Sequence, residues 1–189
     1  LQNYFPESIA LRPIDDVIIK LIEVAHDTGP RTAFLYYYQV FEYSGYYYLD
    51  DKIKKTLKKI LRNPCVVNCE DDNIEEIIEI FSDISHTDES KMKKVIEENC
   101  SSKAIWKEIE NDKEFFSQAH LFDGGVELKP LISIDATENA WNASWAPKLF
   151  DHLTKIRNCL VHAREKRETR GILPTRKNNL IIKRYVPVL

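Results

Sequence analysis

Three side chains late in the sequence are suited to handling a proton beside a phosphate. In Arg157-Asn158-Cys159-Leu160-Val161-His162, a fixed cation, an amide and an imidazole fall close together. Imidazole titrates near neutrality, so His162 can take up or release a proton. A guanidinium stays charged and can hold a phosphate or the extra charge of a phosphorane, which suits Arg157. Asn158 can orient either the phosphate or the imidazole. This set fits RNA cleavage without a metal, in which the 2′-hydroxyl attacks the adjacent phosphate. One His per chain is a poor set for a reaction needing both an acid and a base. Two chains facing each other across a two-fold axis supply two. The same Arg and His also describe an ordinary solvated helix face.

The elements that must position these groups read as helices. From about Trp145 to Arg167 the pattern predicts one helix, with Leu149, Leu153, Ile156, Leu160 and Ala163 at spacings of three and four. On it Asn158 and His162 lie about 40° apart, and Arg157 lies about 140° from His162. Gly171 and Pro174 end that element. Leu180, Ile181 and Val188 then mark either a final helix or a strand-like segment broken by Pro187. Earlier in the chain, Ile14, Val17, Ile18, Leu21, Ile22 and Ala25 predict a first helix stopped by Gly29-Pro30. A second, rich in Tyr and Phe, is predicted from about Arg31 to Tyr48, and Asp50 or Asp51 is expected to cap a third ending at Asn63-Pro64. Ile74, Ile77, Ile78, Phe81 and Ile84 predict an amphipathic helix behind the acidic run Glu70-Asp71-Asp72. Shorter helices are predicted around Lys91 to Glu98 and from Ser102 to about Gln118. Asp123-Gly124-Gly125 is the clearest turn signal, followed by a short strand or irregular loop over Val126 to Asp135. The expected fold class is therefore all-α, a helical bundle with an irregular or β excursion near 123–135.

Composition limits the partners. The chain has 189 residues and a formal net charge of −3, but the charge is split. Residues 147–189 hold 11 Lys/Arg against 3 Asp/Glu, whereas residues 1–146 hold 16 against 27. An anionic partner is thus expected at the C-terminal quarter. No apolar run approaches the ~20 residues needed to span a bilayer, and Leu1 to Pro13 does not read as a signal peptide, so a cytoplasmic protein without a membrane partner is expected. The cysteines Cys65, Cys69, Cys100 and Cys159 are read as reduced thiols. Cys65 and Cys69 lack a second pair or a nearby His, short of the four ligands zinc needs, so neither a metal nor another cofactor is expected. The sequence starts without Met and ends at Leu189 in what reads as an unfinished helix, so part of a longer chain is expected.

Arg157-Asn158-x-x-x-His162, late in an all-α domain, resembles the R-x4-6-H motif of the HEPN superfamily, with the polar residue that family favours directly after the Arg. Tyr36-Tyr37-Tyr38-Gln39-Val40-Phe41-Glu42-Tyr43 is similar to its early aromatic helix with an embedded Glu. Ile172-Leu173-Pro174 followed by Ile181, Tyr185, Pro187 and Leu189 resembles its closing turn and last helix. The resemblance covers about 14–62 and 145–189 of a single domain, and leaves about 65–140 as an acidic helical insertion. It implies a four- or five-helix up-and-down core, usually dimeric. It further implies a metal-independent endoribonuclease cleaving single-stranded or loop RNA, as a toxin or anti-phage defence effector. Arg157 and His162 of both protomers would form one composite cleft, with Asn158 in support and an antitoxin or fused sensor domain as further partner. A family subgroup has a Tyr two positions after the His, the target of a partner nucleotidyltransferase; Arg164 stands there instead. Other members have lost the motif and serve as modules binding a nucleotide, an RNA or a protein, which is the alternative reading.

The remaining candidates have two readings each. Glu42, among aromatics, either orients Arg157 or makes a structural hydrogen bond. The basic run Arg164, Lys166, Arg167 and Arg170 either binds the RNA backbone or solvates a helix end. The Tyr cluster is read as core and dimer packing rather than a base-stacking platform. Trp106, Trp141 and Trp145 are read as packing the middle segment against the bundle, and His152 as a surface or packing residue.

Overall fold

The computed structural model describes residues 14–62, 74–75, 77–78, 87–162 and 170–189. Helix α1 spans Asp16–His26 and α2 spans Pro30–Leu61. Positions 74–75 and 77–78 are helical. Then follow α3 (Asp88–Asn99), α4 (Ser102–Asn111), α5 (Lys113–Phe116), strands β1 (His120–Leu121) and β2 (Glu127–Leu128), α6 (Glu138–Asn142), α7 (Trp145–Val161) and α8 (Arg176–Tyr185), closed by a 3-10 turn at Val186–Val188. Among the described residues the architecture is all-α apart from one antiparallel two-stranded hairpin pairing His120 with Leu128 and Leu121 with Glu127. The Asp123-Gly124-Gly125 turn closes that hairpin.

Local chemistry sets most helix starts. Side chains of Asp15, Thr87, Ser101, Thr137 and Thr175 each accept an amide hydrogen bond at the N-terminus of α1, α3, α4, α6 and α8. Pro30 at the first position of α2 lacks the amide that would be orphaned there.

Three expected boundaries are corrected. The aromatic helix does not end near Tyr48; α2 runs unbroken to Leu61, with Asp50 and Asp51 inside it. Capping residues can open a helix but do not close the one before them, and no Pro or left-handed residue intervenes. The helix expected over Ser102 to Gln118 breaks at Asp112 into α4 and α5. Helix α7 ends at Val161, not near Arg167, with His162 as its C-cap. Two of its last carbonyls are taken by distant donors: Cys159 O accepts from the Ile172 amide at 3.3 Å, and Leu160 O from Arg31 Nη2 at 3.1 Å. A continuing helix would use these carbonyls for amides four residues on.

Helix α2 is the central element, packing against α1, α3, α7 and α8. Gly45 allows one of these approaches, since a Cβ there would stand 3.0 Å from Met92 Cγ on α3. One hydrophobic cluster joins Phe34, Tyr38 and Phe41 of α2 to Leu149, Leu153 and Ile156 of α7 and to Ile182 and Tyr185 of α8. Trp106, Trp141 and Trp145 belong to the same cluster, so 87–162 shares one core with both ends of the chain. Among the described residues, no helix is long and apolar enough to cross a membrane.

Candidate functional site

The site is built on the last two turns of α7. Leu149, Leu153, Ile156 and Leu160 are buried, which fixes the rotation of the helix and turns Asn158 to solvent. Arg157 lies between these faces, its side chain 28% exposed. Its guanidinium donates from Nη2 to Glu42 Oε1 at 2.6 Å and from Nη1 to Asn158 Oδ1 at 3.0 Å. Beneath it lies the Tyr38 ring, with the guanidinium carbon 5.6 Å from the ring centroid. Tyr38 is in turn fixed by a 2.8 Å hydrogen bond to Thr154 Oγ1, one turn before Asn158 on α7. Burial raises the Tyr38 pKa above its ordinary value. Tyr38 and Glu42, one turn apart on α2, thus clamp the guanidinium from below and from the side.

Two of the five guanidinium N–H groups are spent on Glu42 and Asn158, leaving donors for an anion. His162 is exposed at the end of α7, its amide donating to Asn158 O at 2.9 Å. The structure therefore brings Arg157, Asn158 and Glu42 into direct contact and sets His162 one turn beyond Asn158. Of the basic run, Arg164, Lys166 and Arg167 lie outside the described residues. Arg170 is exposed, its aliphatic stem passing over Gly125.

The segment following α7 is held by a polar lock. Asn178 is fully buried. Its Nδ2 donates to Asp123 O and to Leu173 O, and its Oδ1 accepts from the Asp123 amide, each at 2.9 Å. The Asp123 carboxylate accepts from Thr175 Oγ1 at 2.7 Å and from Lys177 Nζ at 3.2 Å. The Thr175 bond, then Lys177, lowers the Asp123 pKa. Backbone bonds tie Gly171 to Gly124 and Leu173 to Asp123. Gly124, at φ +110°, makes the crossing possible, since a Cβ there would meet Gly171 O at 1.9 Å.

Sequence reasoning missed Arg31. Its Nη1 donates to Ile172 O at 2.7 Å and its Nη2 to Leu160 O, so it joins the start of α2 to the end of the site helix. A cation at a helix C-terminus is favoured by the exposed carbonyls. Burial lowers its pKa from the usual arginine value. Tyr38 and Thr154 were also missed as supports. No local pattern marks any of these three, because each acts on a partner more than a hundred positions away.

His152 is half-buried, bonded through Nε2 to the Tyr185 hydroxyl at 3.0 Å. Burial, with His120 and Lys155 nearby, pushes its pKa down to about 4. Among the described residues no group of three or more His, Cys, Asp or Glu is placed to hold a metal ion. Cys100 is half-buried and Cys159 buried; Cys65 and Cys69 lie outside the described residues. Compared with family models, curated proteins and solved structures, the chain matches none.

Proposed function

We propose that this chain is a metal-independent endoribonuclease of HEPN type, acting on single-stranded or loop RNA as a toxin or anti-phage defence effector. The observation that carries the reading is the clamped Arg157. Its guanidinium is held by Glu42, Asn158 and the Tyr38 ring, one turn before a solvent-facing His162. In the reaction, one imidazole takes the 2′-hydroxyl proton as that oxygen attacks the adjacent phosphorus. A second imidazole gives a proton to the departing 5′-oxygen. Arg157 stabilises the charge gathering on the phosphorane oxygens. The products are a 2′,3′-cyclic phosphate and a 5′-hydroxyl. Two histidines require a homodimer that joins both α7 ends in one cleft.

The Glu42–Arg157 ion pair also favours a second reading, a silent module of the same type that binds nucleotide, RNA or protein, because it occupies part of the guanidinium. The test is incubation of wild type and His162→Ala with total RNA in EDTA. The ribonuclease gives cleavage by wild type, unaffected by EDTA, ending in cyclic phosphates and lost in the variant. Cleavage that survives in His162→Ala, or none by wild type across a concentration series that includes the dimer, sinks the catalytic reading.

A further inference from the structure

Two clefts meet along α7. One, of about 350 Å³, is lined by Lys129, Lys148, Asp151, His152 and Lys155. The other, of about 650 Å³, is lined by Glu89, Thr154 and Asn158 among others, and it shares Asp151 and Lys155 with the first. Together they form one groove from Asn158 at the candidate site to Lys129 on the segment after β2. Lys148, Lys155 and His162 recur every seven residues, so each step advances ~10 Å along the helix and turns only ~20°. Two lysines and the exposed imidazole therefore follow a single track.

The charge of this groove is positive despite its two carboxylates. Lys93 Nζ lies 2.9 Å from Asp151 and 3.0 Å from Glu89, so one ammonium neutralises much of that wall. Those two bonds raise the Lys93 pKa and keep it charged. Lys129 and Lys148 are exposed and have no ion-pair partner among the described residues. The floor is His152, which burial, with His120 and Lys155 nearby, keeps neutral at physiological pH. The floor thus offers a flat, uncharged ring between lysines rather than a further cation.

We propose that this groove is the bed for the RNA strand as it leaves the cleavage site, with Lys129 and Lys148 contacting its phosphates. The proposal rests on the ribonuclease reading for its ligand. A track reaching from Asn158 back to Lys148 spans ~15 Å, more than one phosphate needs and enough for a short single strand.

The probe is a twelve-nucleotide 2′-O-methyl oligoribonucleotide, which cannot undergo 2′-hydroxyl attack, labelled for fluorescence anisotropy. Wild type, Lys129→Gln/Lys148→Gln and His162→Ala are titrated from 0.05 to 0.3 M salt, and cleavage of the unmodified strand is followed in parallel. The double variant is expected to bind roughly five- to tenfold more weakly at low salt, with the slope of log K against log salt shallower by ~1.4. It should cleave with a raised KM and a little-changed kcat. His162→Ala should bind with the wild-type slope and not cleave. A double variant with wild-type affinity and slope overturns the groove while leaving the ribonuclease reading intact. The expected loss of slope in a protein that cleaves nothing supports the groove and removes the chemistry. Wild type that neither binds nor cleaves overturns both.

Discussion

Protonation of His152 should set the acid stability of this domain, and its size follows from the structure. The ring sits on α7 between Tyr185, whose hydroxyl it bonds at 3.0 Å, and the positive field of Lys155, with His120 close by. Its pKa of about 4 in the folded protein compares with an ordinary value of 6.5. The folded state holds the ring neutral, whereas the unfolded chain protonates it below pH 6.5, so the unfolded state binds more protons between the two values. Stability is then complete above pH 6.5, falls as pH drops towards 4, and levels off below that. The expected losses relative to pH 7.5 are about 1.3 kcal/mol at pH 5.5 and about 2.5 kcal/mol at pH 4.5. Urea unfolding followed by tryptophan fluorescence at these three pH values tests this, using wild type and His152→Gln. Gln keeps a hydrogen-bonding group for Tyr185 but does not titrate. The wild-type advantage over the variant should shrink by those amounts as pH falls. Groups that do not act on His152 are present in both proteins and cancel in the difference; the repulsion from His120, whose pKa burial also lowers, and from Lys155 is lost with the imidazole and belongs to the measured effect. Parallel stability curves, or an imidazole resonance of folded His152 titrating near pH 6.5, would refute the reasoning.

Two further outcomes follow from contacts already described. Glu42→Gln removes the charge facing Arg157 at a pair that is about one-third exposed, so stability should fall by at most ~1 kcal/mol, or roughly 2–4 °C in Tm. On the catalytic reading, kcat for RNA should nevertheless drop roughly tenfold or more with little change in KM; an unchanged kcat would remove Glu42 from any positioning role. Gly124→Ala places a methyl against Gly171 O at a backbone angle that L-residues avoid, and should cost roughly 2–4 kcal/mol. Circular dichroism melts should show Tm lower by roughly 5–15 °C, and a variant melting with wild type would mean that the crossing is not tight.

Local signals in the sequence were sufficient where local physics decides. The Gly29-Pro30 stop, the α7 stripe of Leu149, Leu153, Ile156 and Leu160, and the turn at Asp123-Gly124-Gly125 are set by backbone preference and hydrophobic spacing. They failed where distant groups decide. Asp50 and Asp51 have the chemistry of caps, but α2 continues through them, because nothing nearby terminates it. The end of α7 is set by Arg31 and Ile172, whose bonds to its carbonyls have no signature within the helix itself. At the candidate site, the Arg157–Asn158 spacing was legible because both lie on one helix. Tyr38 and Thr154 were not, since their roles depend on how α2 crosses α7. The groove below Lys148 was hidden for a similar reason: Lys129 reaches it from the far side of the hairpin.

The Arg31 bridge has a consequence for the order of assembly. Its two bonds close loops of 129 and 141 residues, and the Asn178–Asp123 lock closes one of 55. Contacts so far apart in sequence form only after the intervening chain has collapsed, and they slow folding accordingly. A growing polypeptide that has exposed Arg157 and His162 still lacks Ile172 and Asn178, and so has a site helix whose end is not yet tied down. The arrangement proposed to do the chemistry is therefore complete only once the segment carrying Ile172 and Asn178 has joined the fold.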